Sequence, residues 1–135
     1  MLGQTAFEYL MLFSLVLIIL SFLTFYAQDM TERNREEIIA SNAIIAVNKI
    51  VDAANIVYTQ GNPSQITLSV YIPENVDSID CFDKILIMKI KIGSGINDVF
   101  TTSKAKLNVS ITTSSGTKRI KIKCCEGSYV NITEG

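Results

Sequence analysis

The sequence contains no histidine and no tryptophan among its 135 residues. Without histidine the chain cannot build a Ser-His or Cys-His nucleophile or a His-ligated zinc site. The net charge of −1 and the scattered positions of the twelve Lys and Arg residues provide no large basic field for nucleic acid. We therefore expect a protein that is not an enzyme, that has no metal or cofactor and that does not bind nucleic acid.

One apolar segment accounts for the low charge of the chain, because no charged side chain occurs between Tyr9 and Gln28. The nineteen residues of Tyr9–Ala27 would form a helix of roughly 28 Å, close to the thickness of the hydrocarbon core of a bilayer. Small hydroxyl residues interrupt this run, and their side chains can bond to carbonyls of the preceding turn. The segment lacks the polar face of a core helix, so we predict that it inserts into a membrane.

A secretory signal peptide is the main alternative for this segment. Its apolar region would span about 7–15 residues, follow a basic start and precede a small-x-small cleavage site. The run here is longer, no Lys or Arg precedes it, and its exit at 25–28 (Phe-Tyr-Ala-Gln) is a poor site. We therefore predict that the chain is not cleaved after the run. The flanking charges leave the orientation of the segment open.

A helical pattern continues beyond the apolar run. No Gly or Pro occurs between Gln4 and Gln60, so one helix of some 55 residues, about 80 Å long, can form. Its second part has an apolar stripe spaced by three and four residues, formed by Ile39, Ala43, Ala46, Ile50, Ala54 and Val57. A helix of that length cannot be buried in one small globule, so its first half must contact a membrane or other copies of the chain.

Beyond the turn-forming residues 60–64 (Gln-Gly-Asn-Pro-Ser), the apolar period changes from 3.6 to 2. This alternation predicts four or more strands, each with one buried face. The apolar positions are Ile66, Leu68, Val70 and Ile72; Ile85, Ile87, Ile90 and Ile92, with a slip near Lys89; Leu107, Val109 and Ile111; and Ile120, Ile122 and Cys124. Residues 114–117 (Ser-Ser-Gly-Thr) predict a hairpin between the last two strands, with Gly116 at positive φ.

The apolar face of the sheet and the helical stripe can cover each other. This predicts an α+β fold in which a long N-terminal α-helix packs on a C-terminal antiparallel β-sheet head. We divide the chain into a leader remnant (1–3), a hydrophobic helix (4–28), an amphipathic helix that continues it (29–60) and a β-rich globular head (61–135). The connectors between strands are expected to include residues 73–80 and 93–98.

Glu8 lies one residue before the apolar run, where a carboxylate either marks the membrane interface or has a function. The sequence around it is Gly3-Gln4-Thr5-Ala6-Phe7-Glu8, followed by the apolar run with Leu12. It resembles the processing motif of archaeal type IV pilin-like proteins, whose signal peptides are called class III. The resemblance covers residues 3–28 by motif and the whole chain by architecture, and it implies a type IV pilin-like fold.

The resemblance also implies a processing site. In that family a prepilin-type peptidase cuts before a Gln that precedes a Glu by four residues. Cleavage would therefore fall between Gly3 and Gln4, and Glu8 would be the fifth residue of the mature chain. Family leaders are usually longer and basic, so either the leader is very short or the start codon lies upstream of Met1.

The resemblance implies a structural subunit of an archaeal type IV pilus-like surface filament for adhesion. The membrane would hold the subunit until the pilus assembly machinery extracts it, and identical subunits would then replace the lipid around the helix. In such a dry bundle Glu8 needs a partner. The resemblance supplies one, the new α-amino group of Gln4 on the same or a neighbouring subunit. A monomeric membrane-anchored extracellular binding protein and a minor pilin remain as alternatives.

The three cysteines are interpreted in the same setting. An exported head lies in an oxidising compartment, where a disulfide between Cys81 and either Cys124 or Cys125 is expected. Adjacent cysteines point to opposite faces of a strand, so only one of the two would face Cys81. Cys124 continues the buried face of its strand, which suits either a bridge in the core or a packed thiol.

Two N-x-S/T sequons begin at Asn108 and Asn131, and the resemblance to exported filament proteins makes both glycosylation candidates.

Three acidic residues lack the spacing of a calcium loop and are expected to solvate a turn; they are Asp77, Asp80 and Asp83. Four basic residues, interpreted as a strand edge that resists pairing with other strands, are Lys118, Arg119, Lys121 and Lys123.

Overall fold

The computed structural model describes residues 1–124 and 128–135. Within these ranges the chain forms helix α1 (Leu2–Gln60) and then seven strands. The strands are β1 (Gln65–Ile72), β2 (Val76–Phe82), β3 (Ile85–Ile92), β4 (Gly95–Thr102), β5 (Lys106–Ser110), β6 (Gly116–Cys124) and β7 (Tyr129–Glu134). The predicted α+β architecture, a long apolar N-terminal helix with a β-sheet packed on it, is confirmed.

The chain divides into two compact units, residues 1–35 and residues 36–135. The first unit is helical from Leu2 onward. The second contains the remainder of α1 and all the strands described above. Its hydrophobic core lies between the helix and the strands and is one continuous cluster of buried side chains.

The apolar stripe predicted on the second part of α1 is buried at every position. Val47, Val51 and Ala53 extend the buried face. These side chains pack with the inward residues of the strands, so both sheets are covered by a single helical surface. This burial stabilises the second part of α1, because in proteins the packing of an apolar face contributes more to helix stability than intrinsic propensity.

Polar contacts from the helix hold the segment between β4 and β5. The Oδ1 atom of Asn55 accepts hydrogen bonds from the Ser103 hydroxyl (2.9 Å) and from the backbone N–H of Lys104 (2.8 Å). The Ser103 oxygen in turn accepts a bond from the N–H of Ala105 (3.2 Å). Ser103 is buried, so these bonds satisfy groups that would otherwise be costly to remove from water.

The strands form two sheets. The four-stranded sheet has the strand order β1-β6-β7-β5, and the three-stranded sheet has the order β2-β3-β4. All pairs are antiparallel except β5–β7, which is parallel. The hairpin predicted between the strands now called β5 and β6 is wrong, because β7 lies between them. Gly116 does have positive φ (122°), but it begins β6 rather than turning a hairpin. The single antiparallel sheet of the prediction is therefore two sheets, one of them mixed.

The two sheets meet where β2 and β5 lie side by side. The backbone N–H of Leu107 donates to the carbonyl of Asp83 (2.8 Å), and the Sγ of Cys81 donates to the carbonyl of Leu107 (3.3 Å). These two bonds satisfy polar groups where the edges of the two sheets meet. Within the second sheet, the backbone N–H of Ser103 donates to the carbonyl of Lys84 (2.6 Å) and continues the ladder between β3 and β4.

The buried face of β3 differs from the prediction. Leu86, Met88 and Ile90 point into the core, whereas Ile85 and Ile87 are only half-buried on the opposite face. The strand alternates without the slip predicted near Lys89. Apolar residues occupy both faces of this strand, so the period alone could not select the inward one.

Candidate functional site

The first unit exposes apolar side chains around its whole circumference. Every large apolar side chain from Phe7 to Tyr26 is between 48% and 75% exposed. The hydroxyls of Ser14, Ser21 and Thr24 donate to carbonyls three or four residues earlier, at 2.8–3.0 Å, so the run presents few free polar groups. In the described part of the chain α1 is the one helix that is long and apolar enough to cross a membrane. Such a surface needs an apolar environment.

The residues of the predicted processing motif lie in the first turns of this helix. Gly3 and Gln4 are exposed, and Gly3 has no side-chain or distant backbone atom within 4 Å of the position that a Cβ would take. Gln4 and Glu8 are four residues apart and thus neighbours on one face, separated by about 6 Å along the helix axis. The carboxylate of Glu8 shares its face with Met11, Leu12 and Leu15.

The bridge predicted from Cys81 is wrong. Cys81 is a free thiol on β2, whereas Cys124 at the end of β6 is disulfide-bonded. The register places Val130 beside Cys124 and Leu107 beside Val130, so Cys124 is about 9–10 Å from the strand that contacts Cys81. The Cα atoms of bridged cysteines are usually about 4.4–6.8 Å apart. Cys125 lies outside the described residues.

The structure brings the two predicted glycosylation sites together. Asn108 on β5 is the direct partner of Asn131 on β7, and Ser110 is the partner of Thr133. The two sequons therefore run side by side in the same direction. The Nδ2 group of Asn108 donates to Oδ1 of Asn131 at 3.3 Å. Neither sequon alone gives any sign of this pairing, because it depends on the parallel contact between β5 and β7.

The predicted basic strand edge is also corrected. Strand β6 is an interior strand, bonded to β1 on one side and β7 on the other, so its cations protect no edge. Lys118 points inward and is 8% exposed, with its Nζ atom 3.3 Å from Glu134 Oε2 and 2.8 Å from the carbonyl of Thr112. Three cations of β6 alternate with its buried residues on the outward face, namely Arg119, Lys121 and Lys123. We call these three residues the cationic row.

Two charged side chains near this sheet have shifted pKa values. Hydrogen bonding and attraction to Asp83, whose carboxylate is 3.2 Å away, raise the pKa of Lys106. The Nζ atom of Lys106 also lies 5.9 Å from the ring centroid of Tyr129. Hydrogen bonds from the hydroxyl and N–H of Thr112, and then the ammonium of Lys118, lower the pKa of Glu134. These pairs stabilise the ends of the sheet and leave the cationic row outside them.

The acidic residues that were expected to solvate a turn lie mostly on a strand instead. Asp77 and Asp80 lie on β2, and Asp83 follows it. Asp77 forms an ion pair with Lys91 (2.6 Å), and the Oδ2 of Asp80 accepts a bond from the Ser78 hydroxyl (2.7 Å). Among the described residues no group of three or more Cys, Asp or Glu side chains is placed to hold a metal ion.

Sequence reasoning missed β2, β4 and β7, and with them the pairing of the sequons and the interior position of the strand that carries the cationic row. The connectors expected at residues 73–80 and 93–98 are wrong in part, because they overlap β2 and β4, whose polar and glycine residues resemble those of loops. A comparison of the chain with models of protein families, with curated proteins and with solved structures finds no match.

Proposed function

We propose that this chain is a structural subunit of an archaeal type IV pilus-like filament on the cell surface, with adhesion as its role. The observation that carries the proposal is the uncovered apolar circumference of residues 7–26. Residues 36–135 have a core of their own, so they do not need this helix to bury their apolar face. An apolar helix joined to a unit with a core of its own suits a protein whose helix exchanges lipid for other copies of itself.

The start of the helix supports the same proposal. Gln4 and Glu8 have the family's spacing, and both are exposed at the end of the apolar run. A prepilin-type peptidase would cut before Gln4 and create an α-amino group one helical turn from Glu8. The subunit would stay in the membrane until the assembly machinery transfers it to the filament. Identical subunits related by a heterologous contact that does not close on itself would then form a helical polymer.

The test combines fractionation with protein chemistry. The full chain is produced together with an archaeal prepilin peptidase and pilus assembly machinery, the cells are sheared, and filaments are pelleted. We expect the chain in the pellet, with an N-terminus at Gln4 by mass spectrometry. A matched variant, Gly3→Val, places a β-branched residue before the cut and should leave the chain uncut in the membrane fraction.

The alternatives give different results in the same experiment. A monomeric membrane-anchored binding protein would stay in the membrane after shearing. A minor pilin would enter the pellet only as a small fraction beside another major subunit. A chain that begins at Met1, or beyond Ala27, in the sheared fraction would contradict the processing step.

A further inference from the structure

The cationic row is an unusual feature for an interior strand. Arg119, Lys121 and Lys123 alternate along β6, so their Cα atoms recur about every 7 Å on one face. All three side chains are exposed, and none is in an ion pair within the described residues. Like charges at this spacing repel one another, and lysine on an interior strand offers no protection against edge pairing. Stability of the sheet therefore does not explain the row.

The outward face of this sheet carries positive charge, although the chain as a whole is slightly acidic. The chain has a net charge of −1, yet no Asp or Glu occupies an outward position on β1, β5, β6 or β7 in the described ranges. The one further cation of the face, Lys106, is paired with Asp83 at its corner. Within the described residues no Asp or Glu side chain offsets the cationic row, and its charge favours an anionic ligand.

Hydrogen-bonding side chains flank the cations on both sides. Lys121 has Thr67 of β1 and Thr133 of β7 as its direct neighbours. Lys123 lies between Gln65 and Asn131. Hydroxyl and amide groups both donate and accept hydrogen bonds, as sugar hydroxyls do. The face is therefore a flat array of cations and sugar-compatible polar groups, with neighbouring strands about 5 Å apart.

We propose that the outward face of the four-stranded sheet binds an acidic polysaccharide, with its carboxylates or sulfates on the cationic row and its hydroxyls on the flanking residues. A single-stranded nucleic acid fits less well, because it requires aromatic side chains among the cations for base stacking. The outward tyrosines are Tyr71 and Tyr129, which lie opposite Thr117 and Lys106 rather than within the row. This ligand would give the proposed adhesion role its target. The proposal depends on that role only because it requires that this face lies outside the cell.

The binding experiment uses the full chain, made without N-glycosylation and held in nonionic detergent micelles. Binding to polygalacturonate is measured by biolayer interferometry at low and at physiological salt, with dextran as a neutral polysaccharide and single-stranded DNA as a polyanion of another class. We expect binding to polygalacturonate that weakens with salt, no binding to dextran, and weaker binding to DNA.

Variants of the cationic row and of its flanking threonines distinguish binding at this face from nonspecific attraction to the charge of the whole chain. The triple variant Arg119→Gln, Lys121→Gln, Lys123→Gln should weaken binding about tenfold or more. Its matched control removes three exposed lysines elsewhere within residues 36–135, Lys49→Gln, Lys84→Gln, Lys104→Gln, and should leave binding within about twofold. The double variant Thr67→Ala, Thr133→Ala retains every charge and should still weaken binding about threefold or more, because it removes hydrogen bonds to sugar hydroxyls.

The proposal is overturned if the wild-type chain does not bind polygalacturonate, or if the control triple variant loses as much affinity as the cationic-row variant. Tighter binding to DNA than to polygalacturonate would also overturn it. Circular dichroism of each variant verifies that the sheet is intact. The measurement uses unassembled chains, so a failure here leaves the filament proposal standing, and a failure to form filaments does not affect this result.

Discussion

Asn108 donates a hydrogen bond from its Nδ2 group to Oδ1 of Asn131, at 3.3 Å, across the parallel pair of strands β5 and β7. The two residues are the acceptor positions of the two sequons in the chain. Neighbouring strands are about 4.8 Å apart, so two glycans attached here would begin almost at the same point. The nitrogen that would carry a sugar on Asn108 is the same atom that donates this hydrogen bond.

The first prediction follows from this crowding. We expect each chain to carry at most one N-glycan, on either Asn108 or Asn131. Glycopeptide mass spectrometry of intact chains measures the number of glycans per molecule. The substitution Asn108→Gln should raise occupancy at Asn131, because it removes the competing site. A population of chains that carry both glycans would contradict the prediction.

The second prediction concerns the thiols. We expect Cys81 to react completely with iodoacetamide in denaturant without reductant, and Cys124 to react only after reduction, because Cys81 is free and Cys124 is disulfide-bonded. Peptide mapping by mass spectrometry identifies the labelled residues. The substitution Cys81→Ser should leave the disulfide in place. A disulfide-linked peptide that contains Cys81 would show that the structure has the wrong pairing.

The third prediction tests the contact between helix and sheets. Ile50 has no exposed surface, and Ile45 on the same helix is 53% exposed. Ile50→Ala should lower the free energy of unfolding by about 2–5 kcal/mol, because it leaves a cavity in the core. The matched substitution Ile45→Ala should change it by about 0.5 kcal/mol or less. Urea unfolding of the full chain in nonionic detergent, followed by tyrosine fluorescence, gives both values. Equal losses would mean that the helix does not pack on this face.

The fourth prediction concerns Glu8. If its carboxylate pairs with the α-amino group of Gln4 in a dry helical bundle, Glu8→Gln leaves that ammonium without a counterion, at a cost of about 3–5 kcal/mol. We expect the variant to be inserted and cut before Gln4 but to enter filaments poorly, as measured by the yield of sheared pellets. Glu32→Gln, on the same helix beyond the apolar run, serves as the control and should assemble normally.

A normal filament yield from Glu8→Gln, with cleavage before Gln4 verified, would overturn the pairing. Glu8 would then only mark the membrane interface, where glutamine is tolerated as well as glutamate.

The helical part of the fold could be predicted closely from the sequence. The spacing of Ile39, Ala43 and Ala46 and the absence of Gly and Pro are local properties, and they identify both the length of the helix and its buried face. The same holds for β1 and β6, where apolar and polar residues alternate cleanly and the inward residues are those predicted.

The strand order could not be predicted in this way. In β3, apolar side chains lie on both faces, so Leu86 and Ile87 are equally good candidates for the core until the helix is in place. The adjacency of Asn108 and Asn131 arises from a parallel pairing over twenty-three residues of chain. Nothing local to either strand specifies it. The outward position of Lys121 and Lys123 followed from alternation, but their place in the middle of the sheet did not.

The position of β7 constrains the order in which the protein can be completed. This strand lies between β6 and β5, although it follows both in the chain. Until residues 129–134 have left the ribosome, β5 has no partner within its own sheet, and Leu107 and Val109 remain uncovered on one side. The apolar run, residues 9–27, is synthesised about one hundred residues earlier. This run is therefore available for insertion into a membrane, as proposed above, while the four-stranded sheet is still incomplete.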